Sequence, residues 1–214
     1  MKNEKETEKS DIETKVLNFY RRFIFGKDYD KDNLTKENIY EWCFNNAWND
    51  MARHVYTDLT KYETEEIKQT DLKQVFREEF KKYENNIFNI KATNVHYKLQ
   101  SHINNYNNQI YTINDSNENK REKSVFSFGK TQKVVNMFFK YLYTFKNELH
   151  LRDDYFTKCD CPIDSKILTK LKIKNIYWSK LDDIEEYKSI QKRIDEEIKK
   201  KGLKYRLDFD FENW

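Results

Sequence analysis

This chain is expected to fold as a compact, multi-helix all-α domain, and two observations carry that expectation. Three glycines and one proline in 214 residues are too few for the many turns of a β-sandwich or barrel. Apolar residues also recur at i, i+3, i+4 and i+7 spacing along several stretches, which is the helical period. The length suits one domain, able to bury roughly 70% of its unfolded surface. With fifteen Tyr, fifteen Phe and four Trp against only 37% apolar residues, its core must be built largely from aromatic rings.

In chain order, residues 1–11 read as a charged, disordered leader and residues 12–214 as a single helical domain. Val16, Leu17, Tyr20, Phe23 and Ile24 place a first helix over 12–25, ended by Gly26. Thr35 caps a second, with Ile39, Trp42, Cys43, Ala47, Trp48 and Met51 on its face. Thr70 and Asp71 open a third, carrying Leu72, Val75, Phe76, Phe80 and Tyr83. Residues 85–113 read as less regular and Asn-rich, and 114–123 as a loop. The strongest helix covers 127–145, through Val134, Val135, Phe138, Tyr141, Leu142 and Phe145. After a connector over 147–160, Asp164 or Ser165 caps a short helix bearing Ile167, Leu168 and Leu171. Ile184, Tyr187, Ile190, Ile194 and Ile198 mark a last helix over 181–200, stopped by Gly202. The tail 203–214 alternates apolar and acidic residues and is expected to be a strand or an extended arm.

Several function classes recede on composition. No apolar stretch approaches the ~18 residues a membrane span needs, and no signal peptide is expected from the charged residues 1–14. Cys43, Cys159 and Cys161 form no disulfide pattern, so a reducing cytoplasm is expected. Cys159-Asp160-Cys161 has no second cysteine pair, and His54, His96, His102 and His150 lack ligand spacing, so no metal site is expected. The overall charge is only +3, yet residues 120–180 hold fourteen Lys/Arg against six Asp/Glu. That block is net +8 and leaves −5 for the remainder, a distribution suited to a polyanion such as DNA.

The residues with the most specific chemistry are Lys133 and Asp164, 31 positions apart inside that block. A lysine early in an apolar helix feels the positive end of the helix dipole and the like charges of Lys130 and Lys140, which favour the neutral, nucleophilic amine. A carboxylate capping the next helix is well held and can stabilise a developing sugar cation. Each residue also has a plainer reading, Asp164 as an ordinary N-cap and the lysines as solvated surface. The Gly129-Lys130-Thr131 triplet has only Ser124 where a phosphate loop needs its upstream glycine.

Over residues 126–171 the pattern resembles the helix-hairpin-helix DNA glycosylase superfamily. There a Gly-Lys-Thr-type segment opens a helix and a Pro-(Val/Ile)-Asp turn supplies an essential aspartate. Lys133-Val134-Val135-Asn136-Met137-Phe138-Phe139-Lys140-Tyr141 and Cys161-Pro162-Ile163-Asp164-Ser165 are closest to the archaeal GO branch, which acts on 8-oxoguanine. The resemblance implies a glycosylase-like helical fold with its catalytic half over 124–201. It also implies excision of a damaged base with AP-lyase activity and no cofactor, Lys133 being the Schiff-base nucleophile and Asp164 the activating carboxylate. Lys130 is the rival nucleophile. Gly129, Gln132, Lys140 and Trp178 are candidate substrate-binding residues, with Trp42, Phe44, Trp48 and Trp178 as candidate walls or wedges for a flipped base. The family's hairpin carries two glycines, whereas here Gly129 stands alone. The alternative is a non-catalytic helical module that binds nucleic acid or protein, as a phage or defence accessory would.

Overall fold

The computed structural model describes residues 12–16, 19, 35–53, 69–116 and 126–213. The leader, most of the first expected helix with Gly26, His54, and the loop expected beyond Ser116 lie outside the described residues. Residues 12–16 and 19 are helical. They are followed by α1 (Lys36–Ala52), α2 (Gln69–Lys81), α3 (Ala92–Ser116), α4 (Phe128–Thr144), α5 (Ser165–Lys170), α6 (Ile184–Lys201) and α7 (Arg206–Glu212). Short 3-10 turns occupy Ile87–Asn89, Asp153–Lys158 and Trp178–Lys180. The chain is mainly helical, with no strand among the described residues.

α4 is the axis of the fold. All of its residues are buried, polar ones included. α1 packs along it most extensively, α3 also packs against it, and the Trp178–Lys180 turn seats against its start. A lattice of rings fills the α1–α2–α4 space. Phe80 meets Phe44 and Phe138 edge-on at 5.2 and 5.0 Å, and Trp48 meets Phe76 at 5.4 Å and stacks on Phe126 at 6.0 Å. The rings Phe44 and Trp48 are therefore core, and half-buried Trp42 packs edge-on against Phe145.

Helix ends follow local chemistry. Thr35 Oγ1 accepts from Asn38 N at the start of α1, and Ser127 Oγ from Lys130 N at the start of α4. Asp183 caps α6, and Gly202 closes it at φ 69, where a side chain would be strained.

Two expectations are corrected. Residues 92–116 form one long helix where irregular chain and then loop were expected. Val95, Leu99, Ile103, Tyr106 and Ile110 lie on a single buried stripe, and that burial outweighs the weak helix propensity of the asparagines between them. The acidic–apolar tail is helix α7 rather than a strand or arm. Its alternation does not separate a wet face from a dry one, because Leu207, Asp208, Phe209, Asp210 and Phe211 are all buried. Asp208 accepts from Tyr205 N at 2.9 Å and Lys204 N at 3.2 Å, and Asp210 pairs with Lys140 on α4.

Candidate functional site

The start of α4 is fixed by a crossing with residues 178–182. Gly129 N–H donates to Leu181 O at 2.6 Å, Phe128 N–H to Asp182 Oδ1 at 2.7 Å, and Ser127 Oγ to Ser179 O at 2.7 Å. Gly129 is required by proximity. A Cβ there would lie 1.8 Å from the Trp178 carbonyl oxygen. Its amide is thus committed inside the protein, so the hairpin role of offering backbone N–H groups to a phosphate is not filled by this glycine.

One turn further along α4, amide side chains take hold of the segment before α5. Gln132 Nε2 donates to Ile163 O at 2.8 Å while its Oε1 accepts from Ile163 N at 3.1 Å. Asn136 Nδ2 reaches Gln132 Oε1, Cys161 O and the Tyr187 hydroxyl at 3.0 to 3.3 Å. From α6, Gln191 binds both backbone groups of Cys161, at 3.2 and 2.7 Å. Tyr187 in turn donates to Asp160 at 2.7 Å. These bonds satisfy backbone groups of a buried turn that belongs to no helix, and they set its position against α4.

That turn delivers Asp164 to Lys133. Lys133 Nζ donates to Asp164 Oδ2 at 2.8 Å, and Asp164 Oδ1 accepts from Ile167 N at 3.0 Å as the N-cap of α5. The lysine side chain is 7% exposed and the carboxylate 20%, so the pair opens to solvent at the aspartate. Burial pushes the Asp164 carboxyl up. The Lys133 ammonium beside it, the hydrogen bonds from Lys133 and Ile167, and the more distant Lys140 outweigh that and hold it below the usual carboxylate range. The Trp178 ring flanks the amine, with Nζ 5.9 Å from its centroid.

Of the sequence candidates, the structure therefore brings together Lys133, Asp164 and Trp178. Lys130 is buried one turn earlier on α4. Gln132 is bonded to the turn rather than turned to solvent. Lys140 is fully buried in an ion pair with Asp210, its amine over the rings of Phe19 and Phe211 at 4.7 and 5.1 Å. Burial lowers the Lys140 pKa despite the opposing charge of Asp210. The single-sequence reading missed Asn136, Tyr187, Gln191 and Asp210. Gln132, Lys133, Asn136 and Lys140 do form a polar stripe at i, i+1, i+4 and i+8 along an otherwise apolar helix, and that was the available signal.

The remaining reactive groups point elsewhere. All three thiols are buried, and burial pushes each pKa up, which disfavours the reactive thiolate. His96 contacts Thr131 Oγ1 at 3.3 Å, and burial lowers its pKa. Among the described residues no group of three His, Cys, Asp or Glu side chains is placed to hold a metal ion, and no helix is long and apolar enough to cross a membrane. A cavity of about 390 Å³ lies between α1 and α2 over Tyr40, Phe44, Phe80 and Phe138, and another of about 340 Å³ lies around Asp160, Asp195 and Arg206. Neither is lined by Lys133 or Asp164. Comparison with protein-family models, curated protein sequences and solved structures gives no match.

Proposed function

We propose that the chain is a DNA glycosylase with AP-lyase activity, excising an 8-oxoguanine-like base through Lys133. The observation that carries this reading is the 2.8 Å contact between the Lys133 amine and Asp164, at the edge of the core and beside an indole ring. In this scheme Lys133, once deprotonated, attacks C1′ of a flipped nucleotide and the C1′–base bond breaks, the base leaving with the bonding electrons and then taking up a proton. The ring-opened sugar and the amine form an imine, and β-elimination expels the 3′-phosphate. Asp164 faces the positive charge that develops on the sugar as the base departs. Supporting features are the basic block that contains both residues and the Gln132, Asn136 and Gln191 bonds that hold Asp164 in place.

The test is borohydride trapping on duplexes carrying 8-oxoguanine or an abasic site, with Lys133→Gln, Lys130→Gln and Asp164→Asn alongside. Trapping that Lys133→Gln abolishes in a folded protein is expected. Equal trapping by the wild type, Lys133→Gln and Asp164→Asn ends the proposal.

One observation favours a second, non-catalytic reading. Both Asp164 oxygens are already bonded, to Lys133 and to the start of α5. The pair is thus complete as a structural joint in a helical module that binds nucleic acid or protein. No adduct on either substrate, with normal folding, selects that reading.

A further inference from the structure

The segment that leaves Asp164 is unusual in charge. Residues 165–181 contain Lys166, Lys170, Lys172, Lys174 and Lys180 and no acidic residue. All five lysines are exposed, while Ile167, Leu168, Leu171, Trp178 and Leu181 are buried and fasten the segment to the core. Arg193 Nη2 on α6 adds a bond to Leu171 O at 2.5 Å. The lysines are therefore displayed from a fixed backbone.

Two further features set this strip apart from an ordinary solvated face. The first is Tyr177, an aromatic side chain left 71% exposed, with Lys180 Nζ 5.7 Å from its ring centroid. An exposed ring with a cation beside it offers a stacking platform to a base whose phosphate that cation meets. The second is backbone strain. Lys172 ends α5 with φ 54, and its neighbour Ile173 N–H donates back to Leu168 O at 2.9 Å. That closure normally uses glycine, and a lysine there costs roughly 1 kcal/mol. Asn175 is also left-handed, at φ 65. A charged residue kept in a strained conformation is a reason to look for a partner.

We propose that residues 165–180 form a binding strip for a single strand of nucleic acid, phosphates running along Lys166, Lys170, Lys172 and Lys174 and a base stacking on Tyr177. The strip is continuous with the candidate site, because Trp178 follows Tyr177 and flanks Lys133. It rests on the nucleic-acid part of the proposed function but not on the lysine chemistry.

The test is fluorescence anisotropy of the full chain with labelled oligo-dT, the matching duplex, and vesicles containing anionic lipid. The strip predicts oligo-dT binding whose logarithm falls against log salt with a slope of at most roughly −2.8, about −0.7 for each of the four lysines along the phosphates. Tyr177→Ala is expected to weaken oligo-dT binding about tenfold and duplex binding much less. The double variant Lys172→Gly/Lys174→Gln is expected to reduce the slope by roughly 1.4 while the fold is retained, since glycine suits the left-handed position. Absence of oligo-dT binding, binding unchanged in both strip variants, or a clear preference for vesicles overturns the strip. Tyr177-dependent binding without borohydride trapping removes the lyase reading and leaves the strip standing.

Discussion

Removing the carboxylate of Asp210 isolates the cost of the buried charge at the centre of this fold. Lys140 and Asp210 are 1% and 4% exposed, and the amine also rests over Phe19 and Phe211. Asp210→Leu leaves an ammonium in an aromatic nest with its carboxylate gone. A broken buried pair costs roughly 3–5 kcal/mol. At about 2–4 °C per kcal/mol for a chain of this size, the midpoint should fall by about 6–20 °C. The double variant Lys140→Met/Asp210→Leu removes both charges and should recover most of that loss. The pH dependence has a definite sign. Burial already lowers the Lys140 pKa in the wild type, and Asp210 opposes that. Without Asp210 the folded state binds fewer protons at Lys140 than the unfolded one, so relative to the wild type the variant's stability should rise as pH climbs towards the unfolded lysine value of about 10. Thermal denaturation of the three proteins measures the midpoint, and urea denaturation at two pH values measures the free-energy loss and its pH dependence. A single-variant loss below about 1 kcal/mol, or a double variant as unstable as the single, would mean that Asp210 does not offset a buried charge on Lys140.

Other outcomes follow from the same geometry. Gly129→Ala forces a methyl group against the Trp178 carbonyl and should cost at least roughly 1–3 kcal/mol by thermal denaturation; an unchanged midpoint means that the crossing of α4 with residues 178–182 is looser than described. Asp164 is held ionised below its unfolded pKa of about 3.9, so its contribution is present above that pH and is lost as pH falls through the folded value. Asp164→Asn should therefore flatten the stability curve below about pH 4, and an unaltered acid limb counts against the Lys133 contact. Lys172→Gly should stabilise the fold by about 1 kcal/mol, with a lower midpoint as the contrary result. Gln132→Leu strips both backbone groups of Ile163 of their partner and should cost roughly 2–3 kcal/mol in urea unfolding, whereas a neutral result means that other groups satisfy them.

How far the sequence could be read depended on what each pattern was measuring. The helical class, the Thr35 cap and the Gly202 stop followed from local chemistry that the fold leaves undisturbed. α3 is hidden in the sequence because dense asparagine reads as irregular chain, although its apolar residues keep the helical period over five positions. α7 misled because strict alternation implies two environments, whereas Asp208 and Asp210 are buried beside Phe209. At the candidate site, the pairing of Lys133 with Asp164 was reachable from an amphipathic helix and a following capped turn. Gln132 and Asn136 show in sequence only as part of a polar stripe on an apolar helix, and Gln191 was not reachable at all, since nothing local distinguishes it from a surface amide until α6 is placed beside α4. Gly129 shows the opposite case, a glycine whose flanking residues suggested phosphate contact and whose environment is a carbonyl at close range.

The proposed chemistry turns on a covalent bond between the Lys133 amine and a deoxyribose. It is tested most directly by trapping the protein on an abasic duplex with borohydride, digesting the adduct and locating the modified lysine by mass spectrometry. The added mass is expected on Lys133 alone. A modified Lys130, a scatter over the exposed lysines of residues 165–180, or no adduct at all with an intact fold would contradict it.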